Sequence, residues 1–208
     1  MKLNWANRIT ILRILLIIPF VSCMLKIHDS DLSANMQSMM RYISCFMFFL
    51  MAISDGIDGY LARKKGQVTK LGAFLDPTAD KLLMMSACLL LASEKAGVVG
   101  FRLPQTVVVL IVGKDLFLLL GFIIVFFITT EVRIVPALIG KVATVLQMVM
   151  VSAILLAPEI SSVLGWWIWF LRVVWWSAAG TAIIATLIYI RAGSRYTVEY
   201  ENRINHKV

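Results

Sequence analysis

The chain has 208 residues, of which 60% are apolar and only 15% are charged, and its mean hydropathy is +0.86. Soluble domains carry roughly 25% charged residues, so this composition excludes an ordinary soluble protein and predicts an all-α integral membrane protein. The net charge of +8 indicates cytoplasmic loops and contact with anionic membrane lipids rather than with nucleic acid. The three cysteines lie in apolar runs without a CxxC pair, which indicates neither a disulfide framework nor a zinc site.

Six apolar runs predict six transmembrane helices, since about 20 residues are needed to cross roughly 30 Å of hydrocarbon. The predicted spans are approximately 9–26, 39–62, 79–94, 104–128, 137–157 and 163–190. The third is short for a full crossing, so we expect it to extend towards Gly97–Gly100 or to be partly shielded by its neighbours. The connections leave no room for a second domain, so residues 1–208 are predicted to form one six-helix domain.

Basic residues in the short connections predict the orientation of the chain. Lysines and arginines are concentrated before the first span, between the second and third, and after the last: Lys2, Arg8, Arg63, Lys64, Lys65, Lys70, Arg191, Arg195, Arg203 and Lys207. Such residues are retained on the cytoplasmic side, so both termini are predicted to be cytoplasmic. His28 falls in a predicted outer loop, where we expect it to be solvated.

Four aspartates lie near the cytoplasmic ends of the second and third predicted spans. A charged residue near the middle of a bilayer costs on the order of 2.5–3.5 kcal/mol on insertion scales, so such acids indicate function. Asp55 and Asp58 are three residues apart and Asp76 and Asp80 are four apart, so each pair lies on one face of its own helix. The stretch between the pairs, with Gly66 and Gly72, is typical of a cytoplasmic turn that makes the two helices antiparallel.

Four facing carboxylates require a cation between them. Arg63, Lys64 and Lys81 offer this charge in a purely structural network, whereas Mg²⁺ or Mn²⁺ accepts an all-oxygen ligand set and also binds phosphate oxygens. We therefore favour a site for divalent metal. The small residues of this region, Gly56, Gly59, Ala62, Gly72 and Ala73, allow close approach of a ligand, and Arg63 can bind a phosphate with two hydrogen bonds, which predicts a nucleotide or diphosphate pocket.

The same residues resemble the signature of the CDP-alcohol phosphatidyltransferase family of integral membrane enzymes, D-x2-D-G-x2-A-R-x8-G-x3-D-x3-D. All eight fixed positions match with every spacing intact: Asp55, Asp58, Gly59, Ala62, Arg63, Gly72, Asp76 and Asp80. The resemblance agrees with the six-helix plan and implies a polar active site at the cytoplasmic side. It also implies a homodimer in a bacterial inner membrane.

The resemblance further implies a role for each matching residue. Asp55, Asp58 and Asp76 would hold two divalent ions, Mg²⁺ or Mn²⁺, on the diphosphate of CDP-diacylglycerol, and Asp80 would be the general base and also close to a metal. Residues expected to line the CDP pocket are Gly59, Ala62, Arg63, Gly72 and Thr10, the last within a short pattern formed by Asn7, Thr10 and Arg13. No serine or cysteine is placed as an activated nucleophile, so we expect direct displacement with release of CMP.

The acceptor alcohol must be read from other residues. Lys114, Arg133 and Lys141 are candidates for binding an anionic acceptor such as glycerol 3-phosphate, although Lys114 and Lys141 can instead reach the membrane interface or pair with Asp115. The run Gly140-Lys141-x-x-Thr144-x-x-Gln147 is similar to the glycerol branch of the family, which makes phosphatidylglycerophosphate or cardiolipin. Two features are more similar to family members that use phosphatidylglycerol. They are the pair Lys114-Asp115 and a phenylalanine, Phe122, in place of an arginine. Glycerol 3-phosphate is the favoured acceptor and phosphatidylglycerol the alternative.

Two hypotheses from other classes also account for acids within spans. A divalent-cation transporter needs them along a route through the bilayer, but here they cluster at one end and only the pair Lys114-Asp115 lies deeper. A non-catalytic membrane scaffold predicts that the substitution Asp80→Asn has no effect on function. The enzyme hypothesis predicts nearly complete loss of activity.

Overall fold

The structure, a computed structural model, describes residues 5–64, 70–129 and 138–205. Its side chains are described for residues 8–54, 75–121, 123–124 and 138–191. The described residues form helices and contain no strand. The helices are α1 (Trp5–Leu25), α2 (Ala34–Lys64), α3 (Lys70–Ala92), α4 (Gln105–Thr129), α5 (Leu138–Leu155), α6 (Ala157–Val163) and α7 (Trp167–Asn205).

The six long helices form a closed bundle. Helix α1 packs against α2 and α3; α3 packs against α4, α4 against α7, α7 against α5, and α5 against α2. A further contact between α3 and α5 crosses the bundle, and the short α6 lies against α5 and α7. Because α1 and α4 both contact α3, residues of those two helices can reach the acidic face of α3.

Apolar side chains fill the inside of this bundle and also cover much of its outside. The core includes Phe20, Phe48, Met84, Ile111 and Ile154, none of which is exposed. Large apolar residues are nevertheless exposed along the outer faces of α1, α2, α4, α5 and α7. Exposure of such an apolar surface to water is unfavourable, whereas contact with the hydrocarbon of a bilayer is favourable.

Four helices are long and apolar enough to cross a membrane by length and composition, within the segments Arg8–Leu25, Ala34–Ser54, Leu138–Leu155 and Trp167–Arg191. The predicted all-helical membrane fold is thus confirmed. The six spans remain a prediction.

Two boundaries differ from the sequence-based prediction. Helix α3 begins at Lys70, so Gly72 lies inside a helix and not in the predicted turn, and the 23 residues of α3 give it a length of about 34 Å. A single glycine costs a helix only about 1 kcal/mol, which the apolar residues around it offset. The predicted last span is 163–190. Its first residue, Val163, is the end of α6, and the 39-residue α7 begins only at Trp167 and continues to Asn205.

The connection between α5 and α7 is attached to the start of α2 by an ion pair. The Arg41 guanidinium donates from Nη1 to Glu159 Oε2 at 2.7 Å and from Nη2 to Glu159 Oε1, and Nη1 also donates to the Leu155 carbonyl at 2.9 Å. The Tyr42 hydroxyl donates to Glu159 Oε1 at 2.6 Å. Arg41 is buried, so α6 closes the bundle over a charge that would otherwise be unpaired.

The connections α1–α2 and α3–α4 are joined by His28. Its Nε2–H donates to the carbonyl oxygen of Gly97, and the imidazole is half-buried. The expectation of a solvated histidine was therefore wrong, because a contact between two distant loops leaves no periodic pattern in the sequence.

Gly97 is expected to tolerate no side chain. A Cβ there would lie 2.6 Å from the Ser93 carbonyl oxygen and 2.8 Å from the Leu91 carbonyl oxygen, and backbone atoms cannot move aside cheaply. We expect Gly97→Ala to lower stability by about 1–3 kcal/mol, measured as a lower Tm in detergent. The matched control is Gly180→Ala, since a Cβ at Gly180 in α7 meets nothing within 4 Å. An unchanged Tm for Gly97→Ala would contradict the packing around Gly97.

Candidate functional site

Two of the four predicted acids have described side chains, and both lie on α3. Asp76 and Asp80 are one helical turn apart and half-buried, so their carboxylates share a face of the helix. The Thr10 hydroxyl, from α1, donates a hydrogen bond to Asp76 Oδ1. Thr10 is fully buried. The structure thus brings together a residue of the N-terminal pattern and a residue of the acidic signature, 66 positions apart in the chain.

Asp80 is connected to α4 through Lys81. The Lys81 ammonium lies 3.6 Å from Asp80 Oδ2 and 2.9 Å from Asp115 Oδ1. Asp115 Oδ1 also lies 2.8 Å from the Lys114 ammonium. Among the described ion pairs, two lysines and two aspartates therefore form one charge network between α3 and α4.

The inner end of this network is deeply buried. The side chain of Asp115 has no exposed surface and that of Lys114 is only 2% exposed, whereas those of Lys81 and Asp80 are 15% and 17% exposed. A buried ammonium must be paired, and Asp115 provides the partner of Lys114. The pairing of Lys114 with Asp115, the alternative to a free acceptor-binding lysine, is what the structure shows.

Several predicted site residues have a helical position but no described side chain. Helix α2 carries Asp55, Asp58, Gly59, Ala62 and Arg63 within its last turns, and α3 carries Gly72 in its first turn. The side chains of these residues, and those of Asn7 and Phe122, lie outside the described part of the chain. Arg133 lies wholly outside the described residues.

The first turn of α5 contains the remaining predicted residues. Lys141 is exposed, and the Thr144 hydroxyl donates to the Gly140 carbonyl oxygen at 3.1 Å. A Cβ at Gly140 would lie 2.5 Å from the Tyr189 hydroxyl oxygen of α7, so a larger residue here would require the Tyr189 ring to move.

Gln147 lies two turns farther along α5 and is fully buried. Neither its amide nitrogen nor its amide oxygen has a hydrogen-bond partner among the described residues. A buried amide of this kind requires a polar partner such as water or a ligand hydroxyl.

The role of Lys81 between two acids was not anticipated from the sequence. The sequence indicates Lys81 only as a counter-ion for the four aspartates, and Asp115 only as a partner of Lys114. Two sequence features could have indicated this contact: Lys81 directly follows Asp80, and an acidic residue, Asp115, lies within the apolar α4. Recognising their contact also requires knowing that α3 and α4 are adjacent.

The described residues are chemically suited to a hard divalent cation. Asp76 accepts a hydrogen bond from a neutral hydroxyl, and no described lysine or arginine forms an ion pair with it. Its negative charge is thus not balanced by the described part of the chain, and carboxylate oxygens are preferred ligands of Mg²⁺ and Mn²⁺. The described residues contain no group of three potential metal ligands, and the side chains of Asp55 and Asp58 are not among the residues described.

Comparison with known proteins identifies relatives over most of the chain. The sequence profile of the CDP-alcohol phosphatidyltransferase family matches residues 3–176. The chain is similar to proteins named CDP-diacylglycerol–glycerol-3-phosphate 3-phosphatidyltransferase from several bacteria. It is 36% identical to that of Bacillus subtilis (strain 168) over 157 residues, 74% of this chain and 77% of the relative. It is 30% identical to that of Rickettsia felis over 197 residues, 93% and 97% of the two chains, and 40% identical to that of Pseudomonas fluorescens over 114 residues, 55% and 52%.

Proposed function

Because this chain belongs to the CDP-alcohol phosphatidyltransferase family, we propose that it transfers the phosphatidyl group of CDP-diacylglycerol to glycerol 3-phosphate and releases CMP. The observation that carries the proposal is the complete eight-residue signature, of which the structure places Asp76 and Asp80 on one face of α3. The acceptor is supported by the names of relatives that align with nearly the whole chain.

We assign the donor end of the reaction to residues of α1, α2 and α3. Asp55, Asp58, Asp76 and Asp80 would hold two divalent ions, Mg²⁺ or Mn²⁺, which neutralise the diphosphate and the departing CMP when bound. Residues assigned to the CDP pocket are Thr10, Gly59, Ala62, Arg63 and Gly72. The hydrogen bond from the Thr10 hydroxyl holds Asp76 Oδ1 in place. It supports a CDP pocket to which both α1 and α3 contribute residues.

Asp80 is assigned the role of general base. Its carboxylate would accept the proton of the acceptor hydroxyl as the hydroxyl oxygen attacks the phosphorus of the lipid-linked phosphate. The bond from this phosphorus to CMP then breaks, and CMP leaves with the bonding electron pair. Lys114, Arg133 and Lys141 remain the proposed ligands of the acceptor phosphate. Lys114 is paired with Asp115, so it would bind the phosphate by exchanging or sharing that partner.

Phosphatidylglycerol as the acceptor, which would give cardiolipin, is the second candidate. The observation that favours it is the replacement of the expected arginine by Phe122 together with the buried pair of Lys114 and Asp115, because both reduce the positive charge free to bind a phosphate. The names of the relatives favour glycerol 3-phosphate. A role in divalent-cation transport has no support from the relatives.

The proposed arrangement in the membrane follows from the family and from the charge pattern. We propose six spans formed by α1–α5 and α7, a site at the cytoplasmic side, both termini in the cytoplasm and insertion in a bacterial inner membrane. A homodimer and a single domain over residues 1–208 also remain predictions.

The acceptor is tested with purified protein in mixed micelles. We expect CMP release from CDP-diacylglycerol with Mg²⁺ or Mn²⁺ and glycerol 3-phosphate, and loss of release when EDTA removes the metal. Release only with phosphatidylglycerol would support the second candidate. If EDTA has no effect on release, the assignment of the four aspartates to a metal site is wrong. Flux of divalent cations through liposomes without lipid substrate would instead support a transporter.

A further inference from the structure

The charge network between α3 and α4 has a component that the proposed reaction does not use. Asp115 lies on α4, which carries none of the family signature, yet its carboxylate forms an ion pair with the lysine that follows the proposed base. This carboxylate has no exposed surface. Burying it and two lysines carries a desolvation cost that two apolar helices would avoid by packing directly.

The distances show which partner holds Lys81. Its ammonium forms a close ion pair with Asp115 Oδ1, at 2.9 Å, and a longer one with Asp80 Oδ2, at 3.6 Å, which is beyond hydrogen-bond distance. Lys81 therefore takes its position mainly from Asp115 and acts on Asp80 mainly through its charge. A lysine without such an anchor would lose this position, since its side chain has several rotatable bonds and large rotamer entropy.

Lys114 helps to hold the Asp115 carboxylate in its position. It lies 2.8 Å from the same oxygen of Asp115, so this buried carboxylate faces two ammonium groups. The described ion pairs of this network join these two lysines to Asp115 and Asp80. Removing Asp115 alone would leave two buried ammonium groups facing each other, of which only Lys81 has another described acid nearby.

We propose that Asp115 is a positioning residue: its buried carboxylate holds the Lys81 ammonium beside Asp80 and thereby fixes the orientation of the Asp80 carboxylate. Neither Asp115 nor Lys81 takes a proton from the acceptor. The effect of Asp115 on the reaction passes through Lys81, so the two residues form one unit. This inference rests on the proposed function, because Asp80 must be the base for its orientation to affect turnover.

A double-mutant cycle tests this unit. The variants are Lys81→Met, Asp115→Asn and the combination, each measured for kcat, for KM with each substrate and for Tm in the same detergent. We expect each single variant to lower kcat about tenfold or more, with KM for CDP-diacylglycerol changed by less than about threefold. The double variant should have the kcat of Lys81→Met within about threefold, since residues acting as a unit are not additive.

The outcomes separate this inference from the function it rests on. A kcat of the double variant equal to the product of the two single effects would overturn the positioning role while leaving the enzyme intact. Wild-type protein that releases no CMP with any acceptor would instead contradict the proposed function. Lys81→Arg is expected to recover at least part of the kcat lost in Lys81→Met, because it restores a cation between the two acids.

A further variant covers the case in which Asp115→Asn fails to fold. Asp115→Glu keeps a negative charge between the two ammonium groups but displaces the carboxylate by about one methylene. The extra methylene in a buried site should cost less stability than leaving a buried charge without its partner, so this variant should fold. We expect its kcat to fall about tenfold with the donor KM unchanged. A wild-type kcat in Asp115→Glu would overturn the positioning role.

Discussion

Asp80→Asn is expected to reduce CMP release by roughly 10²–10⁴-fold, the range over which a positioned general base contributes to catalysis. Asparagine has nearly the same shape as aspartate but cannot accept the proton of the acceptor hydroxyl and is a weaker metal ligand. The fold should be retained, because Lys81 keeps its 2.9 Å contact with Asp115 when the charge of Asp80 is removed. The measurement is CMP release from CDP-diacylglycerol together with Tm in the same micelles.

The matched control is Asp31→Asn, the same change in an exposed residue of the α1–α2 connection. It should leave CMP release and Tm within experimental error of the wild type. Activity of Asp80→Asn within about threefold of the wild type would contradict the assignment of Asp80 as the base, since that role requires at least a hundredfold loss. A large fall in Tm would indicate a structural role for this carboxylate.

Local residue patterns were sufficient to predict the acidic face of α3. The spacing of Asp76 and Asp80 is a property of one helix, and the structure shows them one turn apart as expected. Composition likewise predicted the all-helical membrane fold, because only helices satisfy the backbone of such apolar segments in a bilayer. The roles of these two residues were supplied by the family resemblance and by chemistry, and they remain to be measured.

Contacts between helices could not be predicted from the same patterns. The hydrogen bond from Thr10 to Asp76 and the ion pair of Lys81 with Asp115 depend on α3 lying beside both α1 and α4. Helical periodicity defines which residues share a face but not which helix packs against that face. The bond between His28 and Gly97 is missed for the same reason, since it joins two loops.

Helix boundaries were missed where polar or small residues interrupt an apolar run. The polar and small residues around Gly72 and Asp76 led to a predicted third span of 79–94, whereas the helix α3 already begins at Lys70. The short α6 falls in the predicted connection between the spans 137–157 and 163–190, because the sequence from 157 to 163 is too brief to show a helical period.

The ion pair between Arg41 and Glu159 marks the end of the bundle opposite the candidate site. Arg41 precedes Asp55 by 14 positions on α2, a separation of roughly 20 Å at 1.5 Å per residue. Hydrogen bonds from the Arg41 guanidinium, and then from the Tyr42 hydroxyl, lower the pKa of Glu159 from 4.5 to about 2. Glu159 lies outside the four candidate spans, so protons from solution can reach it.

Glu159→Gln is expected to lower the free energy of unfolding at pH 7 by about 1–3 kcal/mol, because the buried Arg41 loses its counter-charge. The folded-state pKa of Glu159 lies below its unfolded value, so the stabilisation is complete above about pH 5 and is lost as the pH falls towards 2. The Tm difference between wild type and Glu159→Gln should therefore shrink on acidification. Glu94→Gln, which removes an exposed pair with Arg102, is the control and should change stability by less than about 0.5 kcal/mol at every pH. A Tm difference that does not vary between pH 7 and pH 3 would contradict the charge-based role of Glu159. Phosphatidyl transfer by the folded Glu159→Gln protein should remain unchanged, because the candidate site lies at the other end of α2.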